Sequence, residues 1–469
     1  MNQNTDNSVR RAALLIAVIS GFLIPFVSSS VNISLPTIGR EFDCDAITLG
    51  WIRTAYLLTA IMFMLPFGRL ADIHGRKRIM KLGMSIYTAA SVLCAVSTSA
   101  SSLIASRCLQ GFGASMVFGT AVAILTSVFQ PGERGKALGI RVAAVYIGLS
   151  SGPFLGGLLT QHLGWRFVFI INAALGLLVV ALLAWRLKGE WAGARGERFD
   201  LRGSLVCSGA ILATVYGFTN LAHRNGPWLF AAGVLGIIVF VLFERKSPSP
   251  IVDIRLFTQN RVFAMSNLAA VINYCAVAAN AFLLSLYLQD IMGLEPMWAG
   301  LVMFAQPAVQ AIVSPFAGKL SDRIEPRIVA SCGMVLTAIA LGLLAFLSRG
   351  TPLGYVVAVL ITMGFGFALF SAPNTNAIMS SVKQRNYSVA AATQGTSNIM
   401  GMTLSMGIVM LLLSIHVGKT QIGPTNDDAF LTALRTSFGI FAGLCALGIF
   451  ASLARGKLRP RDHHSQDYV

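Results

Sequence analysis

Apolar residues in this chain do not alternate or form stripes; they run. Fourteen stretches follow one another, near 12–38, 46–67, 79–98, 101–130, 136–161, 167–187, 201–221, 227–244, 262–288, 297–318, 327–347, 352–379, 388–415 and 430–454. A bilayer core needs roughly 20 apolar residues in a helix, which satisfies its backbone hydrogen bonds internally. Between the stretches lie short loops rich in Gly, Pro and charge, with no inserted soluble domain. The pattern predicts an all-α integral membrane protein with fourteen transmembrane helices. The first run is too long for a signal-peptide core and reads as an uncleaved first span.

Composition agrees. Of 469 residues, 55% are hydrophobic and 12% charged, with a mean hydropathy of +0.70. Soluble domains carry about 25% charged residues, so a soluble fold of this size could not cover its surface. The net charge of +17 would suggest a nucleic-acid partner in a soluble protein. Here the basic residues sit between apolar runs, as topology signals facing anionic lipid, and nucleic acid is not expected. With a cytoplasmic N-terminus, the inner segments collect 27 Lys and Arg, against Arg40, Arg166, Arg224, Arg349 and Lys419 outside. That asymmetry predicts both termini cytoplasmic in an inner or plasma membrane, with 223–226 outside. The seven cysteines are scattered without a CxxC pair and read as small apolar residues, not metal ligands or disulfides.

One charged stretch stands apart. "GRLADIHGRKR", 68–78, places six ionisable side chains in eleven positions between the second and third runs. Its basic tail serves topology; Gly68, Asp72 and Gly75 need another reason. A second copy, "GKLSDRIEPR", begins at Gly318 and repeats Gly68 as Gly318 and Asp72 as Asp322. The copies follow spans two and ten, which predicts two six-helix halves with two extra spans between them. The expected units are 1–190, a two-helix insert with its linkers at 191–261, 262–454, and a basic cytoplasmic tail at 455–469. Internal repeats of this kind place a substrate site between the halves.

The first copy resembles the signature loop of the major facilitator superfamily. "RCLQGFGAS" (107–115) resembles its fourth-helix motif, and "GLSSGPFLGGLL" (148–159) the fifth-helix motif typical of antiporters. "VNISLPTI", "GWRFVFIIN", "FDLRG" and "PIVDIRLF" resemble the fourteen-span drug:proton antiporter branch. The resemblance covers nearly the whole chain. It implies that Asp72 latches the cytoplasmic side against the N-terminus of a second-half helix near Ser388. A carboxylate there also suits the helix dipole. By the same analogy Arg76 seeks a carboxylate at the end of span four, where Glu133 is available. Gly148, Gly152 and Gly156, with Gly157 beside them, make a helix face without side chains, and Pro153 bends the span. That face is either a tight structural contact or a seal between the halves.

Charges inside spans are costly and usually face a cavity or a partner. Arg53, Arg107, Arg141 and Arg435 lie within runs. Arg107 and Arg53 are expected at the cavity, and Arg435 to snorkel outward. No acid lies well inside a span. The branch often carries one five residues before the Asn matching Asn32, where this chain has Val27. Neutral polar groups remain, among them Asn32, Tyr56, Gln110, Asn273, Asn280, Gln306 and Asn374. Together they suit a wet, mostly neutral cavity, although any single one is as well read as glue between helices.

No HExxH, Ser/His/Asp set or phosphate loop is present, so an enzyme is not expected, nor any cofactor or metal. A channel would not need two halves with matched loops. The expected function is secondary active transport of a small-molecule substrate, as proton-coupled efflux of amphipathic compounds. The alternative is export or facilitated passage of an anionic or neutral metabolite or lipid, not coupled through an intramembrane carboxylate. The expected partners are membrane lipids around a monomer, with protons and an accessory periplasmic partner left open.

Overall fold

The computed structural model describes residues 3–43, 46–219, 225–245, 247, 249–416 and 427–456. Residues 223 and 224 of the expected outer loop, and the tail beyond 456, lie outside the described residues. Fourteen long helical segments are described: α1 (Gln3–Phe42), α2 (Ala46–His74), α3 (Arg76–Ala95), α4 (Ala100–Val128), α5 (Arg134–His162), α6 (Arg166–Trp185), α7 (Leu201–Thr219), α8 (Gly226–Glu244), α9 (Arg261–Val277), α10 (Pro296–Arg323), α11 (Pro326–Leu344), α12 (Leu353–Ser380), α13 (Tyr387–His416) and α14 (Asp427–Leu453). Asn280–Leu286 continues α9 after a short break and ends in the π turn Tyr287–Ile291. Thirteen of these segments are long and apolar enough to cross a membrane. The difference from the expected fourteen is α3, whose first six residues include Arg76, Lys77, Arg78 and Lys81.

Each half packs around its own core. Met84, Tyr87, Val117 and Leu183 centre the first, and Met334, Leu341, Phe370 and Phe438 the second. The halves meet where α5 lies on α10 and α2 on α13, the same pairing displaced by eight helices. Helix α7 packs on α8 and α2 and also reaches α13.

Two prolines show how the sequence fixes these contacts. Pro153 has no N–H for the carbonyl of Leu149. Ser29 of α1 donates its hydroxyl to that carbonyl at 2.9 Å. Pro66 likewise frees the carbonyl of Met62, and Ser208 of α7 donates to it at 2.8 Å. In a medium without water, such a repair doubles as a docking point.

The glycine stripe of α5 faces α1, within the first half. A Cβ on Gly148 would overlap the Phe22 backbone, and one on Gly152 or Gly156 would stand 2.5 Å from the Cβ of Ser29 or Ser30. Gly157 is not tight, with Ile33 at 3.6 Å, and the Pro153 side chain is exposed. Of the two readings of the stripe, these contacts are those of a tight helix contact inside the first half.

Both ends of the described chain lie at one end of the bundle. Arg10 of α1 pairs with Glu133 at 3.0 Å, and Ser331 of α11 donates to Ser452 of α14 at 2.7 Å. The loops at 74–78, 130–134 and 323–327 gather here, so we name it the basic end. At the opposite end, the Trp165 indole donates to Glu41 at 2.7 Å and Arg166 pairs with it at 2.7 Å. The indole bond, with the guanidinium, holds the Glu41 carboxyl below its ordinary range against the opposing effect of desolvation.

Candidate functional site

At the basic end the last turn of α2 delivers Asp72 to the first turn of α13. Its carboxylate accepts the N–H of Ser388 at 3.0–3.1 Å and that of Val389 at 3.1 Å. These are among the N–H groups that a helix start leaves without intrahelical partners, and the dipole there favours an anion. Arg76 completes the cluster, donating Nη2 to Asp72 at 2.7 Å and Nε at 3.0 Å. It also reaches Ser127 of α4, Ser388 of α13 and the carbonyl of Gln384, and lies over the Tyr387 ring at 5.1 Å. Asp72 and Arg76 are both fully buried. Gly68 permits the approach, since a Cβ there would stand 2.8 Å from Ala392 and 2.9 Å from the Ser388 carbonyl.

The expected pairing of Arg76 with Glu133 does not form. Glu133 is exposed and holds Arg10, while Arg76 points inward to Asp72. The turn at Gly75, with φ of +114°, swings the chain so that Arg76 starts α3 directly above Asp72.

The second copy mirrors the first. Asp322, at the end of α10, accepts the N–H of Gly135 at 2.8 Å and of Lys136 at 3.0 Å, in the first turn of α5. Asn376 of α12 donates to it at 3.4 Å. Gly318 and Gly135 lie so close that a Cβ on either would overlap the other's carbonyl. Each half thus offers a carboxylate to a helix start in the other half, and the basic end is closed twice.

A feature missed in the sequence is the strap that follows α6. Trp191 accepts the N–H of Arg76 at 2.9 Å, and the Asp72 carbonyl accepts the N–H of Ala194 at 2.9 Å. Glu190 accepts the N–H of Lys77 at 2.9 Å, and Arg69 pairs with Glu197 at 2.5 Å. Neighbouring acids in the linker were the available signal, but nothing local assigns them to this loop.

The expected cavity residues scatter. Asn32 and Arg53 are exposed in the half of the bundle away from the basic end. Arg107 is only 1% exposed, so its expected cavity position is corrected. It donates to the Ile52 carbonyl at 3.2 Å and to Gln110, and lies over the buried Tyr56 ring at 4.5 Å. Gln110 in turn donates to Ser91 at 2.8 Å. The cause is α4 rotating this face into α2 and α3, where Gly111 and Gly113 allow near backbone contact. In the second half, Asn280 donates to Gln306 at 2.9 Å, and Asn374 to the Ser266 carbonyl at 3.3 Å. Asn273 is buried beside Cys445.

Where the halves meet, the structure brings forward Arg141 instead. It lies on α5 six residues beyond Gly135, roughly 9 Å deeper at 1.5 Å per residue. Its Nε is buried without a hydrogen-bond partner, and no ion pair to it forms among the described residues. Tyr274 of α9 lies near it, and the Tyr274 and Tyr146 hydroxyls sit beside Ser371 of α12. Phe367 packs edge-on to both rings, at 5.1 and 5.8 Å. Here a cation and two phenols from both halves converge, with no carboxylate paired to the cation among the described residues.

Compared with known proteins, the chain matches the family model described as Major Facilitator Superfamily over residues 17–249 and 267–467. It is similar to a riboflavin transporter of Clostridioides difficile, 31% identical over 94% of this chain and 96% of that one. A multidrug resistance protein of Mycobacterium tuberculosis is 31% identical over 88% of this chain and 78% of its own. A methyl viologen resistance protein of Salmonella typhimurium is 30% identical over 95% and 99%. Among solved structures, a human organic anion transporter superposes with a TM-score of 0.68, at 14% identity over 96% of this chain and 100% of the other. A proton:xylose symporter gives 0.67, at 14% identity over 95% of each. At that identity both show the fold alone.

Proposed function

The chain belongs to the Major Facilitator Superfamily, and on that premise we propose that it exports amphipathic small molecules by alternating access, coupled to protons. It is a multi-pass membrane transporter rather than an enzyme. In this reading it is of the fourteen-span type, with α3 as a span whose basic start lies at the surface. The basic end is cytoplasmic, as the Lys and Arg asymmetry favours, and both termini lie there.

The observation that carries the reading is the double latch. Asp72 on the α13 start and Asp322 on the α5 start close one end of the bundle, while Asn32 and Arg53 are exposed toward the other. Charge-assisted hydrogen bonds to helix starts are strong yet discrete, so they suit an element with two arrangements. Releasing both would let the halves rock and open the basic end. Relatives named for multidrug and methyl viologen resistance support efflux as the direction.

A second reading is passage of an anionic or neutral metabolite. Arg141 between the halves, with no ion pair among the described residues, favours this, and one relative is named for riboflavin. A proteoliposome assay over a panel of neutral, anionic and cationic compounds, with and without a pH gradient, tests both. Export driven by an imposed gradient supports the first reading; gradient-independent movement of anions or neutral compounds supports the second.

A further inference from the structure

Glu244 ends α8 and reads in the sequence as the first residue of a basic loop. In the structure it is 2% exposed, and neither carboxylate oxygen has a well-aligned hydrogen bond. No other carboxylate among the described residues is buried in that condition. The backbone of Ile251 and Val252 is the nearest source of donors, and these two residues belong to an apolar cluster with Met64, Leu65 and Phe240.

A second carboxylate stands close. A Cβ on Gly203 would meet Glu244 Oε1 at 2.7 Å and Asp200 Oδ2 at 2.9 Å, so the two oxygens are no more than about 6 Å apart. Asp200 uses its oxygens as acceptors, from the Gly203 N–H at 2.8 Å and the Ser247 hydroxyl at 3.1 Å. Among the described residues, the remaining titratable or charged neighbours are Cys207 on α7 and Arg69 on α2, and Arg69 is already held by Glu197. Glu244 thus lies between a second acid, Asp200, and a guanidinium that Glu197 already holds. Like charges at such separation disfavour one another's ionisation, and the cost falls on Glu244, the buried member, whose anion has only the poorly aligned Ile251 and Val252 N–H groups.

We propose that Glu244 is a proton-binding site at the basic end, occupied while the double latch is closed and emptied when α2 withdraws. Arg69 lies three residues before Asp72 on α2, and the strap from Glu197 to Ala194 joins this site to the latch. Opening moves the cation and admits water, which suits the ionised form. Acid thus favours the closed latch and alkali the open one. The emptying step rests on the alternating-access reading; the site itself does not.

The test uses the full chain in nanodiscs. Infrared spectroscopy of the wild type near neutral pH is expected to show a protonated carboxylic acid band that Glu244→Gln removes. Asp200→Asn keeps a good helix cap and removes the neighbouring charge, so the band should persist but titrate lower by about one pH unit. Hydrogen exchange of 387–395 should rise with pH in the wild type relative to Glu244→Gln at each matched pH. A band unchanged in Glu244→Gln, or insensitive to Asp200→Asn, overturns the site. Identical exchange in wild type and Glu244→Gln at every pH overturns the link to the latch. Failure of proton-coupled export with the band intact would sink the export reading and leave the site standing.

Discussion

Asp72 and Asp322 perform the same act in opposite directions. Asp72 of the first half accepts the N–H groups of Ser388 and Val389 in the second, and Asp322 of the second accepts those of Gly135 and Lys136 in the first. They differ in surroundings. Asp72 is fully buried and shares Arg76, whereas Asp322 lies at 9% exposure beside Asn376.

That difference sets the first prediction. Asp72→Asn leaves Arg76 buried without its carboxylate, and breaking a buried pair costs about 3–5 kcal/mol. The variant should still reach the membrane, and transport per molecule there should fall by about tenfold or more, since ~1.4 kcal/mol is a factor of ten. Asp322→Asn should lose less. Transport assays normalised to membrane abundance check this; an Asp72→Asn variant equal to wild type would refute the latch.

Gly135→Ala should hold the basic end open, because the new methyl would overlap the Gly318 carbonyl when the halves meet. Modification of a cysteine introduced beside the latch should become faster by about tenfold relative to the same cysteine with Gly135 intact, a shift of ~1.4 kcal/mol in the open–closed balance. Unchanged reactivity would show that the α5–α10 contact is not part of the gate.

The glycine stripe gives an internal control. Gly148→Ala would push on the Phe22 backbone, while Gly157→Ala meets only the Ile33 methyl at 3.6 Å. Overpacking of this kind costs about 1–3 kcal/mol. Thermal unfolding in detergent should be lowered by Gly148→Ala and left nearly unchanged by Gly157→Ala. Equal loss at both sites would contradict the assignment of the stripe to α1.

Topology is tested by reporter fusions. At Lys188, Asn225 and the C-terminus they should read inside, outside and inside. The warrant is the 27-to-5 distribution of Lys and Arg, and an external C-terminus would sink the fourteen-span reading.

The charge of the cargo is the sharpest expectation. A centre with Arg141 and, among the described residues, no carboxylate paired to it offers little to offset desolvation of a dication, and buried unpaired charge is expensive. Expressed in an efflux-deficient host, the chain should protect against neutral or anionic amphiphiles by a larger factor than against doubly cationic compounds. Methyl viologen, the dication in one relative's name, is the decisive member of the panel. Strong resistance confined to dications would overturn the charge argument.

Apolar run lengths identified the membrane class and the helices, because hydropathy is written locally along the chain. The repeated Gly68–Asp72 and Gly318–Asp322 pattern identified two halves, and with the family resemblance it aimed Asp72 at Ser388. What it could not supply was rotation about each helix axis. Whether Gly148 faces α1 or the other half, and whether Arg107 faces a cavity or α2, depends on which neighbour each face meets. Arg76 chose Asp72 over Glu133 because Gly75 turned α3 back onto α2. Arg141 and Glu244 stood in the sequence as one more arginine in a span and one more acid in a loop. Only the packing of helices far apart in sequence left the first without an ion pair among the described residues and the second without a well-aligned donor.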